Sequence, residues 1–366
     1  MRQNQEKTRP PSLNTASSRP YPMHAPRQTQ KKGLRLLFMG SSAFSQPAFQ
    51  LLQESAHDIV AVITRKPARA RPTQSPQPTI IHAQARHLGI PILTPETIDD
   101  DVIHACQAWR ADAVVIASYG VMLPQAFLDM THYGCFNIHP SLLPRWRGAS
   151  PIRRAMMAGD NVSGCTIMKT SLRCDSGDIL AQKTCPIDQN ATGDDMETML
   201  AHEGAQLMRN VLDDIAHNNP PTAHKQPAQG ITYAHKITTQ DARIPWQRPA
   251  LDVHNHIRAL ATKPTAWCLY TPHTTQPATK PAQEKRLKIL KSTYMPLAML
   301  PTPIRASFTQ GTTGHSGTCA RMGERCFVSC GQDAVELHTL LREGKKPMTT
   351  AEFLRGYPAV RHFILH

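Results

Sequence analysis

The chain has 366 residues, room for two ordinary domains, with 40% apolar residues, 31 prolines and a formal net charge of +14. This composition excludes a collagen-like chain and wholesale disorder, and no apolar run approaches the ~20 residues of a membrane-spanning helix or the shorter core of a secretory leader. Nine cysteines without a C-x-x-C pair argue against a disulfide framework or a zinc site, and point to free thiols in a reducing, cytoplasmic setting.

Residues 1–33 are rich in Pro, Ser, Gln and Arg, carry a net +6, and have too few large apolar side chains to fold alone. They read as a disordered basic extension; read instead as a transit peptide, they would direct the chain to the mitochondrial matrix. From residue 34 short apolar runs at 34–39, 59–64, 113–117 and 136–139 alternate with helical periodicity at 44–54, 79–88, 101–110 and 122–131. Alternation of this kind predicts an α/β fold with a doubly wound, mostly parallel sheet. Strands at 164–169 and 179–187, in hairpin arrangement, and a long helix at 194–215 would close a domain spanning 34–216, whose net charge is −3.

Residues 217–230, with Pro220, Pro221, Pro227 and Gly230, read as a polar linker. Beyond it, short strands at 287–289, 326–329 and 335–341, one amphipathic helix near 349–356, and long loops at 271–285 and 296–317 predict a small β-barrel, OB-like domain over 231–366. Residues 217–366 carry a net +11, a charge suited to a polyanion, because clustered cations gain by releasing phosphate-bound counterions.

The turn Gly40-Ser41-Ser42-Ala43 after the first strand lacks the further glycines of a dinucleotide fingerprint, so a nicotinamide or flavin role is unsupported. The run from Phe136 to Gly148 carries more chemistry. Strand alternation puts Asn137 and His139 on one face and Ile138 on the other, so an amide and an imidazole emerge together at the carboxyl end of a sheet strand. An imidazole with a catalytic task needs a carboxylate to orient it, and the turn Cys174-Asp175-Ser176-Gly177-Asp178 offers two. Asp175 is the first candidate and Asp178 the second; spacing alone does not choose between them.

Asn137-x-His139, Ser141-Leu142-Leu143-Pro144 and Asp175-Ser176-Gly177-Asp178 together resemble the signature of the folate-dependent formyltransferases. The resemblance implies Asn137, His139 and Asp175 as the catalytic trio, Ser141, Leu142, Leu143 and Pro144 beside the folate, 10-formyltetrahydrofolate as formyl donor, and no metal. Pro144-Arg145-Trp146-Arg147-Gly148-Ala149, Ala117-Ser118-Tyr119-Gly120, Thr232-Tyr233-Ala234, Ala242-Arg243-Ile244-Pro245-Trp246 and Gly344-Lys345-Lys346-Pro347-Met348 are similar to the branch of the family that acts on tRNA. That branch implies initiator methionyl-tRNA as acceptor, a monomer, and Arg69, Arg71, Arg243, Lys345 and Lys346 as tRNA contacts. The likeness spans about residues 34–360. It departs at Ser171 and Arg173, where the family carries Asp and Gly; a Gly there would serve a positive φ, so Arg173 is expected to strain the loop or crowd the folate. A formyltransferase acting on a nucleotide-sugar amine, or a formyltetrahydrofolate hydrolase, would use the same trio.

Overall fold

In β1 (Arg35–Gly40), Leu36 and Phe38 enter one buried cluster and Leu37 and Met39 another, so the strand is apolar on both faces, as a central parallel strand must be. The computed structural model describes residues 33–69, 75–270, 284–309, 315–356 and 362–365; the extension expected over residues 1–32 lies outside them. β1 is followed by α1 (Gln46–Gln53), β2 (Asp58–Ile63), α2 (Ile80–His87), β3 (Ile92–Leu93), α3 (Asp100–Ala108), β4 (Ala113–Ala117), α4 (Gln125–Leu128) and β5 (Cys135–His139). Then come α5 (Pro151–Met157), the hairpin of β6 (Val162–Lys169) and β7 (Ile179–Pro186), and α6 (Gly193–Ala216). The strand order is β3-β2-β1-β4-β5-β6-β7, parallel as far as β5 and antiparallel beyond it. Winding changes direction between β1 and β4, and doubly wound sheets bind ligands at the carboxyl edge of that switch point. β5 ends on the same edge.

Local sequence fixes where the helices begin. The Thr79 hydroxyl accepts from the His82 N–H at the start of α2, the Asp99 carboxylate accepts from Val102 at the start of α3, and Thr192 with Asp195 forms a reciprocal capping box on α6.

The remaining elements are α7 (Ala250–Ala259), β8 (Trp267–Tyr270), β9 (Lys285–Met295), α8 (Thr302–Thr309), β10 (Thr318–Met322), β11 (Arg325–Ser329), β12 (Ala334–Arg342), β13 (Met348–Thr349), α9 (Thr350–Arg355) and β14 (His362–Ile364). The antiparallel order β14-β10-β11-β12-β9-β8 is joined end to end by a bridge between Tyr270 and Leu365, giving the small barrel. The segment 296–317, expected to be a long loop, instead contains a turn of 3-10 helix at Leu297–Met299 and α8. Its prolines mislead. Pro303 occupies the first turn of α8, where a missing N–H costs nothing, and Ile304 anchors the helix against Leu300, Ala320 and Phe327. The expected loop at 271–285 lies outside the described residues as far as 283, and from Lys285 it is already β9.

One buried cluster runs from Phe136 and Ile138 of β5 through Leu200 and Met208 of α6 to Val253 and Ile257 of α7, and on to Leu287 and Val335 of the barrel. The sheet and the barrel therefore share a core.

Candidate active site

Phe136 and Ile138 of β5 enter the cluster beneath α6, while Cys135 enters the opposite one, so Asn137 and His139 project together from the second face. The Asn137 side chain is half-buried and makes no hydrogen bond among the described residues. His139 is 4% exposed. Its Nε2 lies 2.9 Å from the carbonyl oxygen of Trp146; a carbonyl only accepts, so Nε2 carries the proton. Nδ1 faces Asp175, 3.7 Å from Oδ1. Of the two candidate carboxylates, Asp175 is thus the one brought to the imidazole. Asp178 enters the hairpin, its carbonyl accepting from the Lys169 N–H.

Asp175 Oδ2 accepts from the Gly148 N–H at 2.7 Å and from the Cys174 thiol at 3.3 Å. Burial and the neighbouring carboxylate push that thiol up to about 11, so it remains a donor at neutral pH. The left-handed backbone in this loop belongs to Asp175, at φ 49°, and not to Arg173. The strain expected at Arg173 therefore does not arise: the residue is exposed, and its carbonyl accepts from the Ser176 N–H and from the hydroxyls of Ser171 and Ser176.

The stretch Ser141 to Pro144 is anchored from beneath. Thr166 Oγ1 on β6 donates to the Ser141 carbonyl at 2.7 Å and accepts from the Leu143 N–H at 3.2 Å. Gln182 of β7 donates to both Thr166 Oγ1 and the Leu143 carbonyl. Ser141 is wholly buried, and its hydroxyl donates to the Arg145 carbonyl. Leu143 is buried too, whereas Leu142, packed over Gly164, and Pro144 remain half-exposed. Trp146 is then held at φ 64° by three contacts: its N–H donates to Thr232 Oγ1, its indole N–H to Asp160, and Arg145 covers its ring while pairing with the same Asp160.

The Formyl transferase family model matches residues 34–212, and the Formyl transferase, C-terminal domain model matches residues 236–358. Over 326 residues, 89% of this chain and 97% of the relative, the sequence is 38% identical to the methionyl-tRNA formyltransferase of Rhodopseudomonas palustris (strain BisB18). The methionyl-tRNA formyltransferase of Paracoccus denitrificans (strain Pd 1222) is also 38% identical, over 88% of this chain and 97% of its own. The chain belongs to the methionyl-tRNA formyltransferase family. Its fold is shared with WlaRD, a sugar 3N-formyl transferase solved in the presence of dTDP and 5-N-formyl-THF, at a TM-score of 0.57 and 17% identity over 86% of this chain and 99% of that one.

In this formyltransferase the basic residues singled out by sequence come from separate segments of the chain. Arg69 is exposed beside the bridge between Ala68 and Gln77 that follows β2, and Arg71 lies outside the described residues. Arg243 is exposed, with its guanidinium 5.8 Å from the centre of the Trp267 ring; Arg286, which the sequence reading passed over, lies 4.2 Å from that ring. Lys345 and Lys346 are exposed in the turn between β12 and β13. No cluster of three or more metal-ligating side chains occurs among the described residues, and no described helix is long and apolar enough to cross a membrane.

Sequence reasoning also missed the residues that support the candidate trio and its loops. Thr166, Gln182 and Gln226 carry no motif, and Gln226 falls in the segment read as a spacer. Thr232 was quoted only for its resemblance, with nothing to tie it to Trp146.

Proposed function

We propose that this formyltransferase moves the formyl group of 10-formyltetrahydrofolate to the free amine of methionyl-initiator tRNA. The arrangement of Asn137, His139 and Asp175 at the switch-point edge, in a chain alike over 89% of its length to a methionyl-tRNA formyltransferase, carries the reading. The basic C-terminal part, net +11 beyond residue 216, supports a tRNA acceptor over a small amine or water.

The folate supplies an electrophilic formyl carbon. Its formyl oxygen gains negative charge as the amine attacks, and the two donors at hand are the Asn137 amide and the His139 Nε2–H. The oxygen would take the place that the Trp146 carbonyl holds against Nε2, so the ring need not turn. Asp175, which faces Nδ1, accepts the proton that the amine gives up and returns it to the folate nitrogen as the bond between that nitrogen and the formyl carbon breaks. The half-exposed Leu142 and Pro144 offer the folate an apolar wall, while the inward Ser141 and Leu143 keep that wall in place.

Removing one such donor typically costs ~10²–10³ in rate. Purified protein supplied with formyl-labelled folate should label methionyl-initiator tRNA, and His139→Ala should lose at least about a hundredfold of that activity. Label found only in formate, or on a nucleotide-sugar amine, would replace the acceptor; near-full activity in His139→Ala would remove the trio.

A further inference from the structure

Between Thr222 and Gly230 every residue is exposed except Gln226. Pro227 restrains the backbone of Gln226 to an extended conformation, which suits a side chain that reaches inward from a strap. The Gln226 amide lies between the two loops that hold the candidate machinery. Its Nε2 donates to the carbonyls of Asp175 and Gly177, each at 2.8 Å. Its Oε1 accepts from Arg147 Nε at 3.0 Å and from the terminal nitrogen of the same guanidinium at 2.7 Å. Both donors and both acceptor positions of the amide are therefore filled. Turned over, it would set NH₂ against a guanidinium and oxygen against two carbonyls, so its orientation follows from its partners.

Arg147 precedes Gly148, whose N–H binds the Asp175 carboxylate. The strap is fixed nearby as well: Ile179 exchanges two main-chain hydrogen bonds with His224, while Arg147 donates to Thr232 and accepts from Ala234. Gln226 thus ties the main chain of Asp175 to the residue beside that carboxylate's own donor. Asp175 has need of such a tie. Its φ of 49° is one that non-glycine residues hold only when their surroundings impose it, and its carboxylate reaches His139 across 3.7 Å.

We infer that Gln226 is a positioning residue for the transfer, setting Asp175 against His139 by joining the 171–178 loop to the 145–148 loop. The inference rests on the formyl-transfer reading above. It also makes the strap between the two family domains a part of the active site, a role that its composition hides.

Gln226→Leu keeps the size and removes every polar contact. Gln226→Glu keeps an acceptor for Arg147 but sets oxygen against the carbonyls of Asp175 and Gly177. Both should lower kcat about a hundredfold, the cost of an ångström-sized misplacement, while KM for folate and for tRNA stays within about threefold. In an Asp175→Asn background, Gln226→Leu should cost less than about threefold more, since the group it positions is gone. Independently of turnover, the ¹⁵N resonance of His139 Nδ1 at fixed pH should move in Gln226→Leu in the same direction as in Asp175→Asn. Wild-type kcat in both Gln226 variants, a full additional loss in the Asp175→Asn background, or an unmoved Nδ1 resonance overturns the inference. A wild-type protein that formylates no tRNA, yet shows the Nδ1 response, would refute the substrate reading and leave the positioning role standing.

Discussion

The main-chain N–H of Gly148 reaches Asp175 Oδ2 at 2.7 Å because its φ is 119°, a conformation that L side chains rarely adopt. Space adds a second demand: a Cβ on Gly148 would stand 2.9 Å from the carbonyl oxygen of Ala234, a main-chain atom that cannot swing away. Gly148→Ala must therefore displace the 145–148 loop from Ala234 or turn its N–H from the carboxylate. Either way Asp175 loses its shortest hydrogen bond. The variant should lose about 1–3 kcal/mol of stability and at least tenfold in kcat, read by chemical unfolding and steady-state formylation. Wild-type values in both measurements would mean that the Gly148 contact is idle. Asn137, His139 and Asp175 were legible as residue types at telling positions, but Gly148 was one letter in a matching string, since what it does depends on a chain segment 86 residues away at Ala234.

Thr166 of β6 shows how a strand can serve a loop it does not adjoin in sequence. Its Oγ1 binds Ser141, Leu143 and Gln182 at once, and the residue is wholly buried. Thr166→Val fills the same volume but leaves the Ser141 carbonyl and the Leu143 N–H without that partner. A loss of about 1–3 kcal/mol in unfolding free energy is expected, with a KM for folate raised several-fold and kcat changed less. An unchanged unfolding free energy would show the network to be dispensable. The sheet was readable because its central strands β1 and β4 are apolar on both faces: 113–117 was placed as found, and the termini of β1, β2 and β5 lay within a residue or so. α7 was not readable. Within it His254, Asn255, His256 and Arg258 are buried beside Val253 and Ile257, so a helix wedged between two bodies of structure lacks the polar face that periodicity needs. β8, β10 and β14 were missed for another reason, being segments of only 4, 5 and 3 residues, too short for alternation to stand out.

The charge divides as the fold does, with the slightly acidic body forming the sheet and the basic excess carried largely by the strap and barrel, while α7 joins the two. His254 of α7 bridges Ser292 on β9 and the Gln189 carbonyl, and Arg258 donates to the carbonyls of Asp188 and Ala191. His256 is buried on the same helix near Arg248, Asp241 and Arg154. Burial outweighs its backbone partner at Ala242 and lowers it from 6.5 to about 4. A base lowered in the folded state is refused a proton that the unfolded chain accepts. Its contribution is therefore complete above pH 6.5, declines as the pH falls, and is gone below about 4, a span worth about 3 kcal/mol. Burial lowers His57, His254 and His338 as well, which steepens the same slope. Between pH 7 and pH 5, the His256 share alone should remove about 2 kcal/mol from the unfolding free energy. His256→Gln removes the titration whatever it does to stability at pH 7, so the difference between urea unfolding at pH 7 and at pH 5 should shrink by that amount. An equal slope in wild type and variant would place the acid sensitivity of the joint between sheet and barrel in some other group.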